Sequence, residues 1–147
     1  MKKSRRDSIP RRKSREFALQ VLYQWEITKK DVTKILSEFQ ASLSESEERD
    51  EFLNRLILGV LEHCQEIDRL IEKYSENWRL VRMDIIDRSI LRIAVFELLH
   101  CEDIPPKATM NEAIELGKRY GSEDSGGFIN GILDRIQNEA VRKPLGK

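Results

Sequence analysis

Both histidines and both cysteines of the 147-residue chain fall in two identical dipeptides, His63-Cys64 and His100-Cys101. Imidazole and thiolate are the usual ligands of zinc, so these pairs are the first place to look for metal chemistry. Adjacent residues on a helix point about 100° apart, however, so one helix struggles to present both to a single ion. No CxxC or HxxxH spacing supplements them. The reading is therefore that no metal is held: the cysteines pack as small buried thiols and the histidines sit at helix ends. Two histidines, each beside a cysteine, also leave no Ser, His, Asp grouping for nucleophilic catalysis. The carboxylates Glu45, Glu47, Glu48, Asp50 and Glu51 have the pattern of a helix start and a solvated face. In "GSEDSGGF", residues 121–128, glycines precede a helix whose amides can face a phosphate, but the lysine and the spacing of a P-loop are missing. No enzymatic activity and no cofactor are expected.

The basic residues are a better candidate. Residues 1–15 hold Lys2, Lys3, Arg5, Arg6, Arg11, Arg12, Lys13 and Arg15 against one acid, Asp7, a net charge of +7. Since the whole chain is neutral, the remainder carries −7. Such a split is a polyanion-binding signal that the overall pI conceals. Arginine dominates, and its planar guanidinium forks onto phosphates and stacks on bases. Tyr23, one or two turns beyond Arg15, sets an aromatic ring near the mouth of this arm, where an unpaired base can stack.

The rest of the chain must position these groups. Residues 1–13 lack apolar periodicity and read as a disordered arm. Ser14 is placed to cap a helix in which Phe17, Ala18, Val21, Leu22 and Trp25 share one face out to Thr28. Val32 to Leu43 forms a second amphipathic stretch, and the run from Phe52 to Tyr74 is long enough for two helices joined near residues 63–65. "IIDRSILRIAVFELL", residues 85–99, is apolar on most sides and predicts a central helix. Pro105 and Pro106 set up the next, which Gly121 stops, and a last helix runs from near Asp124 to Ile136 before a frayed tail over 141–147. No period-two alternation predicts a strand. The expected architecture is all-α, a compact bundle of six to seven helices spanning 14–140. No apolar run approaches the roughly 18 residues of a membrane span, so the cytoplasm is the expected compartment.

Three segments carry a family resemblance: "RRKSREFALQVLYQWE", "ILRIAVFEL" and, most specifically, "IPPKATMNEAIELGKRYGSEDSGGFINGILDRI". In this order they resemble the bacterial transcription antitermination factor NusB, from Arg11 to about Ile136. The resemblance implies a seven-helix, non-enzymatic protein that binds the boxA element of nascent ribosomal RNA together with the ribosomal protein NusE. With NusA, NusG and RNA polymerase it then reads through terminators. It implies RNA contacts at Arg11, Arg12, Lys13 and Arg15, further RNA and partner positions at Tyr23, Asp124 and Phe128, and a NusE contact at Asp87. The acidic body suits a basic ribosomal protein. The chain departs from the pattern in its upstream extension, Lys2 to Arg6, and at Gly126 and Gly127, where many relatives carry a lysine next to the phenylalanine. NusB-like regions also precede the methyltransferase domain of some RNA cytosine methyltransferases, but no cofactor-binding segment is seen here. A helical self-associating scaffold that binds nucleic acid nonspecifically is the alternative expectation.

Overall fold

The computed structural model describes residues 9–43, 50–76 and 79–141, and all of the regular structure among them is helical. Seven α-helices run in order: α1 (Arg11–Thr28), α2 (Val32–Leu43), α3 (Glu51–Glu62), α4 (Cys64–Tyr74), α5 (Ile85–His100), α6 (Pro106–Tyr120) and α7 (Ser125–Ile136). A 3-10 turn, Leu80–Arg82, precedes α5, and a π turn, Gln137–Val141, extends α7. Lys2 to Arg6, Glu45 to Glu48 and residues 142–147 lie outside the described residues.

The predicted central helix is central. α5 packs against α1, α3, α4, α6 and α7, and Ile90, Leu91, Ile93, Ala94, Val95 and Phe96 on it are all buried. A helix apolar on most sides can only be stable when neighbours surround it. α1 contributes Ala18, Leu19, Val21 and Leu22, α3 contributes Leu53, Leu56, Ile57 and Val60, and α7 contributes Ile129, Leu133 and Ile136. Between α3 and α4 the chain turns at a single residue, His63.

One boundary differs from the sequence reading. α1 begins at Arg11, not at Ser14, so Arg11, Arg12 and Lys13 form its first turn and are not part of an unstructured arm. Pro10 is the cause: its φ is −59°, and its carbonyl accepts from the amides of Lys13 and Ser14. Proline is suited to a helix start, where its missing N–H is not needed. Ser14 is then too deep in the helix to cap it. Its buried hydroxyl donates instead to the Asp50 carboxylate, 2.8 Å to the nearer oxygen, and Asp50 caps α3 by accepting from the Leu53 amide at 2.9 Å. One carboxylate thus locks the starts of α1 and α3 together.

Gly121 does end α6, but by close approach and not by a left-handed turn. Its φ is −97°, and a Cβ there would lie 2.3 Å from the Ser125 hydroxyl. That hydroxyl accepts from the Ser122 amide at 2.9 Å and closes the corner into α7.

Candidate nucleic-acid interface

Consecutive residues of a helix diverge, and the first turn of α1 distributes its cations accordingly. Arg11 leans toward α3 and the turn after α5, with its guanidinium 4.4 Å from the Phe52 ring centroid and 3.6 Å from Asp103. Asp103 is held more firmly by Arg55, whose hydrogen bonds bring its carboxyl down to about 2. Arg12 turns the other way, onto α6, and donates to both oxygens of Glu112 at 3.0 Å. That hydrogen bonding lowers the Glu112 carboxyl below its usual range. Lys13 lies 3.5 Å from Glu16 and above the Phe17 ring. All three side chains are about half exposed, so pairing leaves each of them open to a phosphate.

Arg15 is a correction to the sequence reading. It is 6% exposed, and its guanidinium donates to both oxygens of Glu97 at 2.7 and 2.8 Å. Glu97 is itself buried and also accepts from the Thr109 hydroxyl at 2.6 Å. A guanidinium closed on both sides in this way is not available to RNA. The one-face pattern of α1 explains it: Arg15 shares the inward stripe with Ala18 and Leu22.

Along the contact of α1 with α6, the cations lead into an aromatic groove. Glu16 is bonded by Arg119 as well as paired with Lys13. Beyond it Leu19, Gln20, Tyr23, Gln24, Ile86 and Tyr120 line a groove of about 310 Å³. Tyr23 and Tyr120 are 41% and 44% exposed, an unusual pair of wet aromatic rings across one groove. Arg12, Lys13 and Arg119 at one end and two tyrosines beyond them combine backbone neutralisation with base stacking. Sequence reasoning found Tyr23 but missed Arg119 and Tyr120. Both stand in "KRYGSEDSGG", where attention went to the glycines and not to the arginine and tyrosine before them.

The remaining predicted positions meet in a second hollow. Asp87, Asp124 and Phe128 line it together with Arg82, Met83 and Asp84, in about 230 Å³. Burial pushes the Asp87 carboxyl up, Ser125 partly offsets this by hydrogen bonding, and Asp84 adds repulsion. Its Oδ1 has no hydrogen-bond partner among the described residues. Three carboxylates make this hollow repel phosphate and favour a cationic side chain. Asp124 is exposed and does not cap α7 with its side chain. Gly127 faces open space, since a Cβ there meets nothing within 4 Å.

Burial raises the Cys101 thiol to about 11 and also raises Cys64, which donates toward Asp68 at 3.5 Å. Among the described residues no helix is long and apolar enough to cross a membrane.

Comparison with known proteins sets these features in context. The model of the NusB family matches residues 12–138. The transcription antitermination protein NusB of Syntrophus aciditrophicus is 50% identical over 133 residues, 90% of this chain and 83% of that protein. The NusB of Myxococcus xanthus is 47% identical over 138 residues, 91% of this chain and 98% of that protein. Among solved structures, NusB of T. maritima superposes with a TM-score of 0.84 at 43% identity, covering 92% of this chain and 95% of that one. A complex of the antitermination factors NusB and NusE with double-stranded RNA contains a chain with a TM-score of 0.78 at 27% identity, covering 87% of this chain and 96% of that one. Fold and relatives together define an all-helical transcription antitermination protein, whose role is regulatory and not enzymatic. More particularly, the chain belongs to the NusB family.

Proposed function

We propose that this chain binds the boxA element of nascent ribosomal RNA jointly with the ribosomal protein NusE, in the cytoplasm. From there it acts with NusA, NusG and RNA polymerase to carry transcription past terminators. The observation that carries the reading is the α1–α6 face, where Arg12, Lys13 and Arg119 lead into the groove between Tyr23 and Tyr120. The structural relative in complex with NusE and RNA supports the choice of partners. Phosphates follow the cations, and unpaired bases stack on the rings. The acidic hollow at Asp84, Asp87 and Asp124 suits a basic protein, which assigns NusE to that side and RNA to the other.

The test is an RNA competition assay, boxA against a scrambled RNA of equal length, with and without NusE. The proposal requires a preference for boxA and a tighter complex when NusE is present. No preference for boxA would leave the nonspecific scaffold as the better account. Deleting residues 1–15 is a poor test, because it removes the first turn of α1 and the buried Arg15. Replacing Arg12, Lys13 and Tyr23 leaves the core intact and addresses the same face.

A further inference from the structure

The two histidines, set aside as ligands in the sequence because each was read with its neighbouring cysteine, meet each other in the fold. His63, at the α3–α4 junction, and His100, the last residue of α5, stack with ring centroids 3.8 Å apart and an interplanar angle of 19°. Glu66, one turn into α4, stands beside both: its Oε1 is 3.2 Å from His100 Nε2 and 3.8 Å from His63 Nδ1. One donor atom from each of the three lies within 4.8 Å of the others. We propose that His63, Glu66 and His100 form a binding site for a borderline divalent transition-metal ion such as Zn²⁺, Co²⁺ or Ni²⁺, which ties the α3–α4 junction to the C-terminal end of α5.

The donor set fits that class of ion. Imidazole suits zinc, nickel and copper, and two histidines with one glutamate make a three-ligand site that leaves a coordination position for water. Bonds of about 2.0–2.1 Å in a tetrahedron put donor atoms roughly 3.3 Å apart, so the group must contract by about 1.5 Å at its widest. Stacked rings do not point their lone pairs at one point, and one ring must turn about its side-chain bonds. The side chains have the room: His63, His100 and Glu66 are 29%, 31% and 48% exposed. The backbone that carries them is firm. The His63 amide bonds to the Gly59 carbonyl at 3.0 Å. Gly59 also has to be glycine, since a Cβ there would lie 2.2 Å from the Phe96 ring. Phe96 in turn stacks loosely on both imidazoles, at 6.2 and 5.8 Å, and backs them from the core side. Glu62 lies 3.9 Å from His63 Nε2 and adds negative charge that favours a cation.

The experiment uses the untagged full chain, stripped with chelator and dialysed, titrated with Zn²⁺ by calorimetry and with Co²⁺ by visible absorption. One ion per chain is expected, with a tetrahedral Co²⁺ spectrum and a melting temperature that rises with Zn²⁺ concentration. His63→Ala and Glu66→Gln should each weaken binding by roughly tenfold or more. His100→Phe keeps a ring in the stack while removing the donor, so it separates ligation from packing. Circular dichroism in chelator shows that each variant is folded. Wild-type protein without a cobalt spectrum or a zinc-dependent melting shift would overturn the site, as would His100→Phe binding Co²⁺ as tightly as wild type.

Discussion

Arg15 on α1 and Glu97 on α5 are 82 positions apart in sequence and form a two-pronged ion pair of 2.7 and 2.8 Å in the interior. The Arg15 side chain is 7% exposed and that of Glu97 is at 0%. Desolvating both charges is costly, and the closed geometry with Thr109 as third partner is what offsets it. The pair therefore fixes how α1 docks on α5, and with it the direction in which the neighbouring cations face.

Arg15→Ala should destabilise the fold by roughly 3–5 kcal/mol, because it leaves the Glu97 charge buried without its partner. Arg15→Lys should recover only part of this, since an ammonium cannot fork onto both oxygens. Urea unfolding measures the loss. RNA affinity per folded molecule should stay close to wild type, and a selective loss of RNA binding with unchanged stability would restore Arg15 to the surface role the sequence implied.

Replacing Arg11, Arg12 and Lys13 together by alanine should have the opposite profile. The three cationic side chains are about half exposed, and ion pairs to exposed cations add little to stability. If all three neutralise phosphates of single-stranded RNA, the log–log salt slope should become shallower by roughly 2. Equilibrium binding across a salt series gives the slope. Because Arg11 faces Asp103 and Phe52 while Arg12 pairs with Glu112 on α6 and Lys13 with Glu16, which Arg119 of α6 also bonds, the single variants should rank Arg11→Ala as the mildest.

Much of this was legible from the residues. The apolar stripe of α1, the break at His63 and the centrality of α5 all follow from spacing, because burial of a periodic face is a local signal. What spacing could not show is which charges are used up inside. Arg12 and Arg15 look alike in the sequence, and only the distant positions of Glu112 and Glu97 make one open and the other closed. The helix start moved from Ser14 to Arg11 because Pro10 opens the helix, and Ser14, one turn further in, instead bonds Asp50, 36 residues away. Tyr120 and the meeting of the two histidines are likewise products of helix packing, not of local pattern.

Glu26 makes the fold acid-sensitive. It bonds to Arg88 at 2.8 and 2.9 Å and to Arg92, which also holds Asp68, and the arginine hydrogen bonds bring its carboxyl from 4.5 to about 2. A depressed carboxyl contributes stability that is present above pH 4.5 and lost as pH falls toward about 2. Asp87 has the reverse sign, because its raised carboxyl favours the native state as pH falls. Glu26→Gln should cost about 2 kcal/mol at neutral pH, less than a fully orphaned pair, since Asp68 and the carbonyls of Leu80 and Met83 still serve the arginines. Melting curves from pH 7 to pH 2 should show the variant losing less stability than wild type across the acid range. Parallel curves would exclude Glu26 as a source of that sensitivity.

Gly127 offers a gain-of-function test beside the second hollow, since it lines an adjoining one with Glu76, Phe128 and Arg135. Its Cβ position is open, so a side chain can be added without repacking. Removing a glycine from a helix favours folding by about 0.5–1 kcal/mol, and a cation in the first turn of α7 opposes the helix dipole by about 0.3–1 kcal/mol. Gly127→Lys should therefore be close to neutral in stability, whereas Gly127→Ala should raise it. If RNA passes beside Phe128 and Asp124, the added ammonium gains one phosphate contact, which steepens the log–log salt slope by about 0.7 and tightens binding several-fold at low salt. With NusE on the side of the Asp87–Asp124–Phe128 hollow and RNA in the Tyr23–Tyr120 groove, the expected result is an unchanged slope with NusE binding altered instead, and a steeper slope would bring RNA to Phe128 as well.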